Sequence, residues 1–264
     1  MKLSERNQKK LRKGSSKDSS VDNLYGNLLE RLGGTNDRVP PAVEFVDHYL
    51  RPTSPSLDDP GKAVHYEMPQ FHKDMLIAAD SGEWLLILVP REFSKSTIVT
   101  VGYSVYRIVK NRNVCGGIIS NTFDQASSFL GGVKTHFESN KKIIDDFGDF
   151  VSTVGWRNDQ FTVLRSNTAE VNSTMFAAGS GKAILGKHTD FLILDDVEDK
   201  KTVLTPESRK KTRIWYTQTV LPILRANGQM IIIGTRKHWD DIYINILNGS
   251  LPGPSRKPKV IDAA

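Results

Sequence analysis

The sequence predicts an α/β fold with a mostly parallel central sheet flanked by helices. Apolar runs of strand length recur along the chain, segments of helical length separate them, and several runs end in polar residues. Such alternation is typical of parallel sheets, whose carboxyl ends meet at one edge and bind ligands there. The runs predicted as buried strands are Trp84–Val89, Val114–Ser120, Phe191–Leu194 and the one within Gly228–Arg236.

Helical segments precede and separate these strands. A Pro-led start predicts a helix from Pro69 to Ala79, with Gln70 at its N-terminal end. A β-hairpin is predicted for Trp156–Leu164 and Glu170–Ala178. The helix from Pro206 to about Leu221 begins with a basic cluster that could contact DNA phosphates or a neighbouring subunit, or be solvated. The other predicted helices are Val21–Leu32, Pro40–Tyr49, Ile98–Val109, Asn121–Asn140 and Trp239–Leu247.

The charge of the 264-residue chain is concentrated in its tails. The formal net charge is +6, but residues 1–20 hold seven Lys or Arg against two Asp or Glu, and residues 249–264 hold three against one. The remainder of the chain is therefore close to neutral, and a DNA-contacting face would be a local patch. We expect a basic flexible arm at 1–20, one domain at 21–247 and a Pro/Gly-rich linker at 248–264.

Composition excludes several classes of protein. No apolar run approaches the roughly 20 residues that a membrane-spanning helix needs, and the basic N-terminus lacks the apolar segment of a secretory signal. The single cysteine, Cys115, allows no intrachain disulfide, which favours a reducing compartment.

The segment after the first strand has the parts of a phosphate-binding loop. An apolar strand breaks at Pro90 into a polar loop that ends in Lys95-Ser96, and a helix follows. In such loops the backbone N–H groups face phosphates, the lysine reaches the β- and γ-oxygens, and the hydroxyl binds Mg²⁺. Val89 and Ser94 stand where the usual pattern, G-x-x-x-x-G-K-[ST], has glycine. A strand-to-helix turn with an incidental lysine is the alternative.

A second polar motif ends the third strand. Four apolar residues, Phe191–Leu194, lead into Asp195-Asp196 at the expected carboxyl end of a buried strand. Asp195 is placed to hold Mg²⁺, and Asp196 could polarise an attacking water as a general base. A strand followed by an acidic turn is the alternative.

Taken in this order, residues 66–247 resemble the ATPase domain of the large terminase subunit of tailed double-stranded DNA bacteriophages. The resemblance implies a P-loop NTPase of the additional-strand, RecA-like type. It makes Arg91, Lys95 and Asp196 catalytic, and Ser96 and Asp195 ligands of Mg²⁺. The implied nucleotide-binding residues are Gln70, which would read adenine, with Arg91, Glu92, Phe93, Ser94, Lys95, Ser96 and Thr97. Gly234, Thr235 and Arg236 match the motif that couples hydrolysis to movement.

The implied activity is ATP hydrolysis that drives double-stranded DNA into a procapsid, with ATP and Mg²⁺ as cofactors. The implied partners are DNA, a portal protein, a small terminase subunit and further copies of the chain in a ring, with a monomer in isolation left open. The expected location is the host cytoplasm, at the procapsid and not in a membrane. The family's nuclease domain is absent from this sequence, so DNA cleavage is not expected.

Two departures from the family pattern are Ser94 in place of glycine and Asp196 in place of the more frequent glutamate. Aspartate has a shorter reach, so Glu198 could assist it. Two rival hypotheses stay open: a helicase-like nucleic-acid-dependent ATPase, and a non-catalytic DNA-binding or assembly module with a degenerate loop.

Overall fold

A computed structural model describes residues 36–51, 54–55, 63–64, 67–184, 186–254 and 257–262. The predicted arm at 1–20 and the predicted helix Val21–Leu32 lie outside these residues. The described strands form a two-stranded antiparallel pair and a seven-stranded sheet in the order β5-β6-β4-β7-β8-β3-β9. Their bounds are β1 Ser54–Pro55, β2 Ala63–Val64, β3 Leu85–Leu88, β4 Gly116–Ser120, β5 Gln160–Phe161, β6 Met175–Gly179, β7 Thr189–Asp195, β8 Leu224–Gly234 and β9 Lys259–Asp262.

The large sheet is parallel except for β5, which pairs antiparallel with β6. The prediction of a mostly parallel sheet is therefore confirmed. In the register of the central strands, Leu88 is opposite Gly234, and Asp195 lies between Ser120 and Ile233. The ends of β3, β4, β7 and β8 therefore meet at one carboxyl edge, although their residues are far apart in sequence.

Helices cover both faces of the sheet. The α-helices are α1 Ala42–Phe45, α2 Gln70–Asp80, α3 Ser104–Lys110, α4 Phe123–Ser139, α5 Lys141–Phe147, α6 Pro206–Trp215 and α7 Ile242–Leu247. A π-helical segment, Ser96–Tyr103, runs directly into α3. Two others extend α1 over Val46–Leu50 and α6 over Tyr216–Val220, and a short 3₁₀ turn follows at Leu221–Ile223. None of the helices within the described residues combines the length and hydropathy needed to cross a bilayer.

The core has two layers because successive side chains of a strand point to opposite faces. Leu85 and Ile87 face one cluster of buried side chains, whereas Leu86 and Leu88 face the other. The first cluster includes aromatic residues of α1, α3 and α4, and the second includes those of α6 and α7. They are Phe45, Tyr106 and Phe137 in the first cluster, and Trp215 and Tyr243 in the second.

Part of the basic cluster at the start of α6 forms ion pairs within the protein. Arg209 is buried, and its Nε donates to Asp240 Oδ2 at 2.9 Å. Arg213 also lies 3.3 Å from Asp240, whereas Lys210 and Lys211 are exposed. Half of the predicted cationic cluster therefore anchors the loop before α7 and is not a solvated face.

The segment predicted as a linker, residues 248–264, contains a strand that was not predicted from the sequence. Lys259–Asp262 forms β9 and pairs in parallel with β3, with Leu85 opposite Lys259. Lys259 N also donates to Trp84 O at 2.8 Å. The Pro- and Gly-rich residues 252–258 lead into this strand.

Candidate active site

The loop between β3 and the helix that begins at Ser96 contains two residues with left-handed backbone conformation. Glu92 has φ of 72° and Ser94 has φ of 50°, a region that glycine adopts without strain and other residues adopt at a cost of about 1–2 kcal/mol. Ser94 O accepts from Ile98 N at 3.0 Å and so begins the helix. Ser94 therefore takes the left-handed conformation that the usual glycine of such loops provides.

Lys95 is the buried cation of this loop. It is 6% exposed, and its ammonium donates to Thr235 Oγ1 at 2.8 Å and to Val89 O at 3.3 Å. The ammonium also lies 3.7 Å from Asp196 Oδ2. The structure thus brings the lysine of the loop, the aspartate directly after β7 and the threonine directly after β8 into contact.

Asp195 ends β7 with no solvent exposure. Its Oδ2 accepts a 2.5 Å hydrogen bond from Thr100 Oγ1. Burial raises the pKa of Asp195, while the neighbouring hydroxyls of Thr100 and Ser96 lower it; the net shift is upward. Its Oδ1 is buried and has no hydrogen-bond partner in the described part of the chain.

Asp196 turns away from the strand with φ of 46°. Its Oδ1 accepts from Thr235 N at 3.2 Å and from Lys237 Nζ at 3.1 Å. Its carboxylate therefore lies between the two lysines, Lys95 on one side and Lys237 on the other.

The three residues of the predicted coupling motif, Gly234, Thr235 and Arg236, lie in different environments. An added Cβ at Gly234 would lie 2.3 Å from the Tyr243 ring, so glycine is required for packing of α7. Thr235 Oγ1 donates to Val89 O at 3.1 Å and links the ends of β8 and β3. Arg236 is exposed.

An open cavity of about 550 Å³ lies over these residues. Most of the residues predicted for the phosphate loop line it, together with side chains from the ends of β4, β7 and β8. Its volume is within the usual range for small-molecule sites. The lining residues are Arg91, Glu92, Ser94, Lys95, Ser96, Thr97, Asn121, Gln125, Asp196, Glu198, Asp199 and Lys237.

Gln70 and Phe93 do not line this cavity. Gln70 is exposed at the start of α2, where its Nε2 donates to Asp74 Oδ1 at 2.9 Å. Phe93 packs against Phe71, with ring centroids 5.4 Å apart, and its carbonyl lies 2.9 Å from His72 Nε2. Phe71 and His72, at the start of α2, therefore pack against the phosphate loop. Gln70 directly precedes them in the sequence but contacts Asp74 instead.

Among the residues that line the cavity, Glu198 has the most strongly shifted pKa. It is 1% exposed, and burial raises its pKa to about 7. The Asp241 charge acts in the same direction, whereas the hydrogen bond from Ile242 N and the charges of Lys237 and Arg213 oppose it. The side chain is fixed to the start of α7 by Ile242 N at 2.9 Å.

Several residues of the site were not found from the sequence. Thr100 binds Asp195 from the π-helical turn, Asn121 Nδ2 donates to Asp199 Oδ2 at 3.1 Å, and Lys237 binds Asp196. Asn121 directly follows a buried strand, the same signal that identified Asp195. Nothing local marks Thr100 or Lys237, because their contacts are with residues 95 and 41 positions away.

The sequence and the structure were compared with known proteins. No protein-family model and no curated protein matches the sequence. The crystal structure of the HK97 bacteriophage large terminase is similar, with a TM-score of 0.49 and 13% sequence identity. The similar region covers 82% of this chain and 41% of that chain, so this chain spans less than half the length of that protein. The roles of individual residues rest on the geometry of the cavity.

Proposed function

We propose that this chain is the Mg-ATP-hydrolysing motor domain of a DNA-packaging terminase. The observation that carries the proposal is the arrangement around Lys95. A nearly buried ammonium on the tight strand-to-helix loop after β3 faces the end of β7, a parallel strand separated from β3 by β8, where Asp195 ends the strand and Asp196 follows it. Phosphate-binding loops combine these parts, since the helix N-terminus and the lysine both favour negative charge.

The residues around Asp195 fit a bound Mg²⁺. Its unpartnered buried Oδ1 and the neighbouring Ser96 hydroxyl are oxygen ligands of the kind that Mg²⁺ takes, one or two from the protein with the rest from phosphates and water. The described residues contain no group of three or more His, Cys, Asp or Glu side chains that could hold a metal. When bound, Mg²⁺ would neutralise charge on the β- and γ-phosphates.

The remaining side chains have separate roles in this proposal. Lys95 would leave its contacts with Thr235 and Val89 to reach the phosphate oxygens, and Arg91 would stabilise charge that develops on the transferred phosphoryl group. Asp196 would orient the attacking water, with Glu198 close by in the same cavity. Thr235 would carry the change at Lys95 to the end of β8, and Gln70 would contact adenine.

The coupled process in this proposal is movement of double-stranded DNA into a procapsid in the host cytoplasm. A homo-oligomeric ring, a portal protein and a small subunit would be its partners. The exposed Lys210 and Lys211 on α6 are available for phosphate contacts.

ATP hydrolysis with and without double-stranded DNA tests the proposal. We expect wild type to hydrolyse ATP and Lys95→Ala to lose at least about 100-fold in rate, because the lysine contacts the reacting phosphates. Lys141→Ala, an exposed lysine on α5, is the matched control and should retain the wild-type rate. Equal rates in wild type and Lys95→Ala would reject the enzyme and favour a non-catalytic DNA-binding or assembly module.

A further inference from the structure

Lys237 is a second lysine that lines the cavity, half-buried as a residue, beyond the lysine of the phosphate loop. Its side chain is 8% exposed, it lines the cavity, and its ammonium is 3.1 Å from Asp196 Oδ1. The preceding residue, Arg236, is exposed and does not line the cavity. Of the two cations that follow Thr235, the one directed at the site is therefore Lys237.

The backbone of Lys237 is fixed from the opposite side by Asp241. This aspartate has no solvent exposure, and its Oδ2 accepts from Lys237 N at 2.9 Å and His238 N at 3.2 Å. Its Oδ1 accepts from Ile244 N at 3.0 Å and caps α7. A displacement of the Lys237 side chain would consequently act on the 237–241 loop and the start of α7.

The charge around Asp196 makes Lys237 sensitive to an incoming phosphate. The Asp196 carboxylate has Lys95 at 3.7 Å and Lys237 at 3.1 Å. A terminal phosphate adds negative charge in the same cavity and competes with Asp196 for both ammonium groups. An ammonium has three donors on a flexible stem, so Lys237 can exchange the Asp196 carboxylate for a phosphate oxygen.

We propose that Lys237 senses the terminal phosphate of the nucleotide. In the empty site Lys237 holds Asp196; with a triphosphate bound its ammonium contacts the γ-phosphate, frees Asp196 to face water and shifts the 237–241 loop. A diphosphate lacks the group that Lys237 contacts, so Lys237 remains on Asp196. This inference rests on the proposed function. In it, Lys237 is the residue that distinguishes ATP from ADP.

Equilibrium titration with a non-hydrolysable ATP analogue and with ADP, both with Mg²⁺, tests the inference. For Lys237→Met we expect affinity for the triphosphate to fall roughly tenfold and affinity for ADP to change less than about twofold, since only the former loses a charge-assisted contact. Lys237→Arg should restore part of the triphosphate affinity. Lys200→Met removes the same charge from an exposed neighbouring position and should leave both affinities unchanged.

Folding of the variant is expected, because Asp196 keeps Lys95 and the Thr235 N–H after Lys237 is removed. Hydrogen–deuterium exchange of wild type supplies an independent readout: the ATP analogue should change exchange in 237–241, and ADP should not. Equal losses of both affinities in Lys237→Met, or unchanged affinities, would overturn the inference while leaving the proposed function intact. Wild type that binds neither nucleotide would overturn both.

Discussion

The carboxyl and amino edges of the central sheet both contain partly or fully buried charges but satisfy them differently. At the amino edge Arg225 pairs with Glu170 at 2.5 Å and with Asp190 at 2.8 Å. Burial would raise the pKa of Glu170, but hydrogen bonds from Asn172 and Arg225 outweigh it and lower the pKa to about 2. The charges at this edge are compensated within the protein.

At the carboxyl edge the compensation is incomplete. Burial raises the pKa of both Asp195 and Glu198, and one oxygen of Asp195 has no partner in the described part of the chain. The non-glycine residues with left-handed φ within that part, Glu92, Ser94 and Asp196, are also all at this edge. Strain and uncompensated charge persist where the surrounding structure holds them for a function. The contrast distinguishes an edge that stabilises the fold from one prepared for a ligand.

The largest effect is expected from Asp195→Asn. The substitution keeps an oxygen that can accept from Thr100 and Ser96 but removes a buried charge that is unfavourable in the folded state. We expect hydrolysis to fall at least about 100-fold, while the melting temperature at pH 8 rises by about 2–6 °C. Calorimetry and a phosphate-release assay on the same preparation check both parts. A lower melting temperature with unchanged hydrolysis would reverse the assignment of this edge.

Arg225→Ala should have the opposite signature. Glu170 and Asp190 lose their shared partner, so the free energy of unfolding should decrease by about 1–3 kcal/mol, discounted because Arg225 is one-third exposed. Hydrolysis per folded molecule should stay at the wild-type rate. Urea unfolding and a rate corrected for folded protein measure the two quantities, with Arg225→Lys as the charge-retaining control. A large loss of hydrolysis in a fully folded variant would show that the two edges are not independent.

Glu198→Gln should stabilise the protein in a pH-dependent way. Because the folded-state pKa of Glu198 is raised from 4.5 to about 7, its contribution to stability is present below pH 4.5 and is lost as the pH rises through 7. The variant should therefore match wild type near pH 4.5 and exceed it by about 1–2 kcal/mol at pH 8. Thermal unfolding between pH 5 and 8 follows this difference, and a constant offset would exclude titration of Glu198 as its source.

The smallest effect is expected at Ser94. Ser94→Gly relieves the strain of φ 50° but adds freedom to the unfolded chain, so nucleotide affinity should change less than about twofold. Ser94→Val places a β-branched residue in the left-handed region and should weaken affinity by about tenfold. Titration with a fluorescent ATP analogue compares the two. Similar affinities for the Gly and Val variants would mean that the loop does not hold this conformation when nucleotide binds.

Much of the fold and of the carboxyl edge could be predicted from the sequence, because the patterns that indicate them are local. Buried strands are apolar runs. Asp195 and Asp196 directly follow one such run, and Lys95 follows another after a five-residue loop, at the edge where parallel strands end. Lys237 could not be found in this way, since its contact with Asp196 depends on β7 and β8 being neighbours. Strand β9 was missed because its four residues, three of them exposed, follow several prolines and carry little apolar signal. Pairing with β3, not composition, makes them a strand.

The most direct test of the central claim is equilibrium binding of a non-hydrolysable ATP analogue with Mg²⁺ to wild type and to Lys95→Met. Lys141→Met serves as the control for loss of an exposed lysine. If the carboxyl edge is the nucleotide site, the dissociation constant of Lys95→Met should increase by roughly 100-fold, because a buried charge-assisted contact to phosphate is lost. Equal affinities of wild type and Lys95→Met for the analogue would contradict the account.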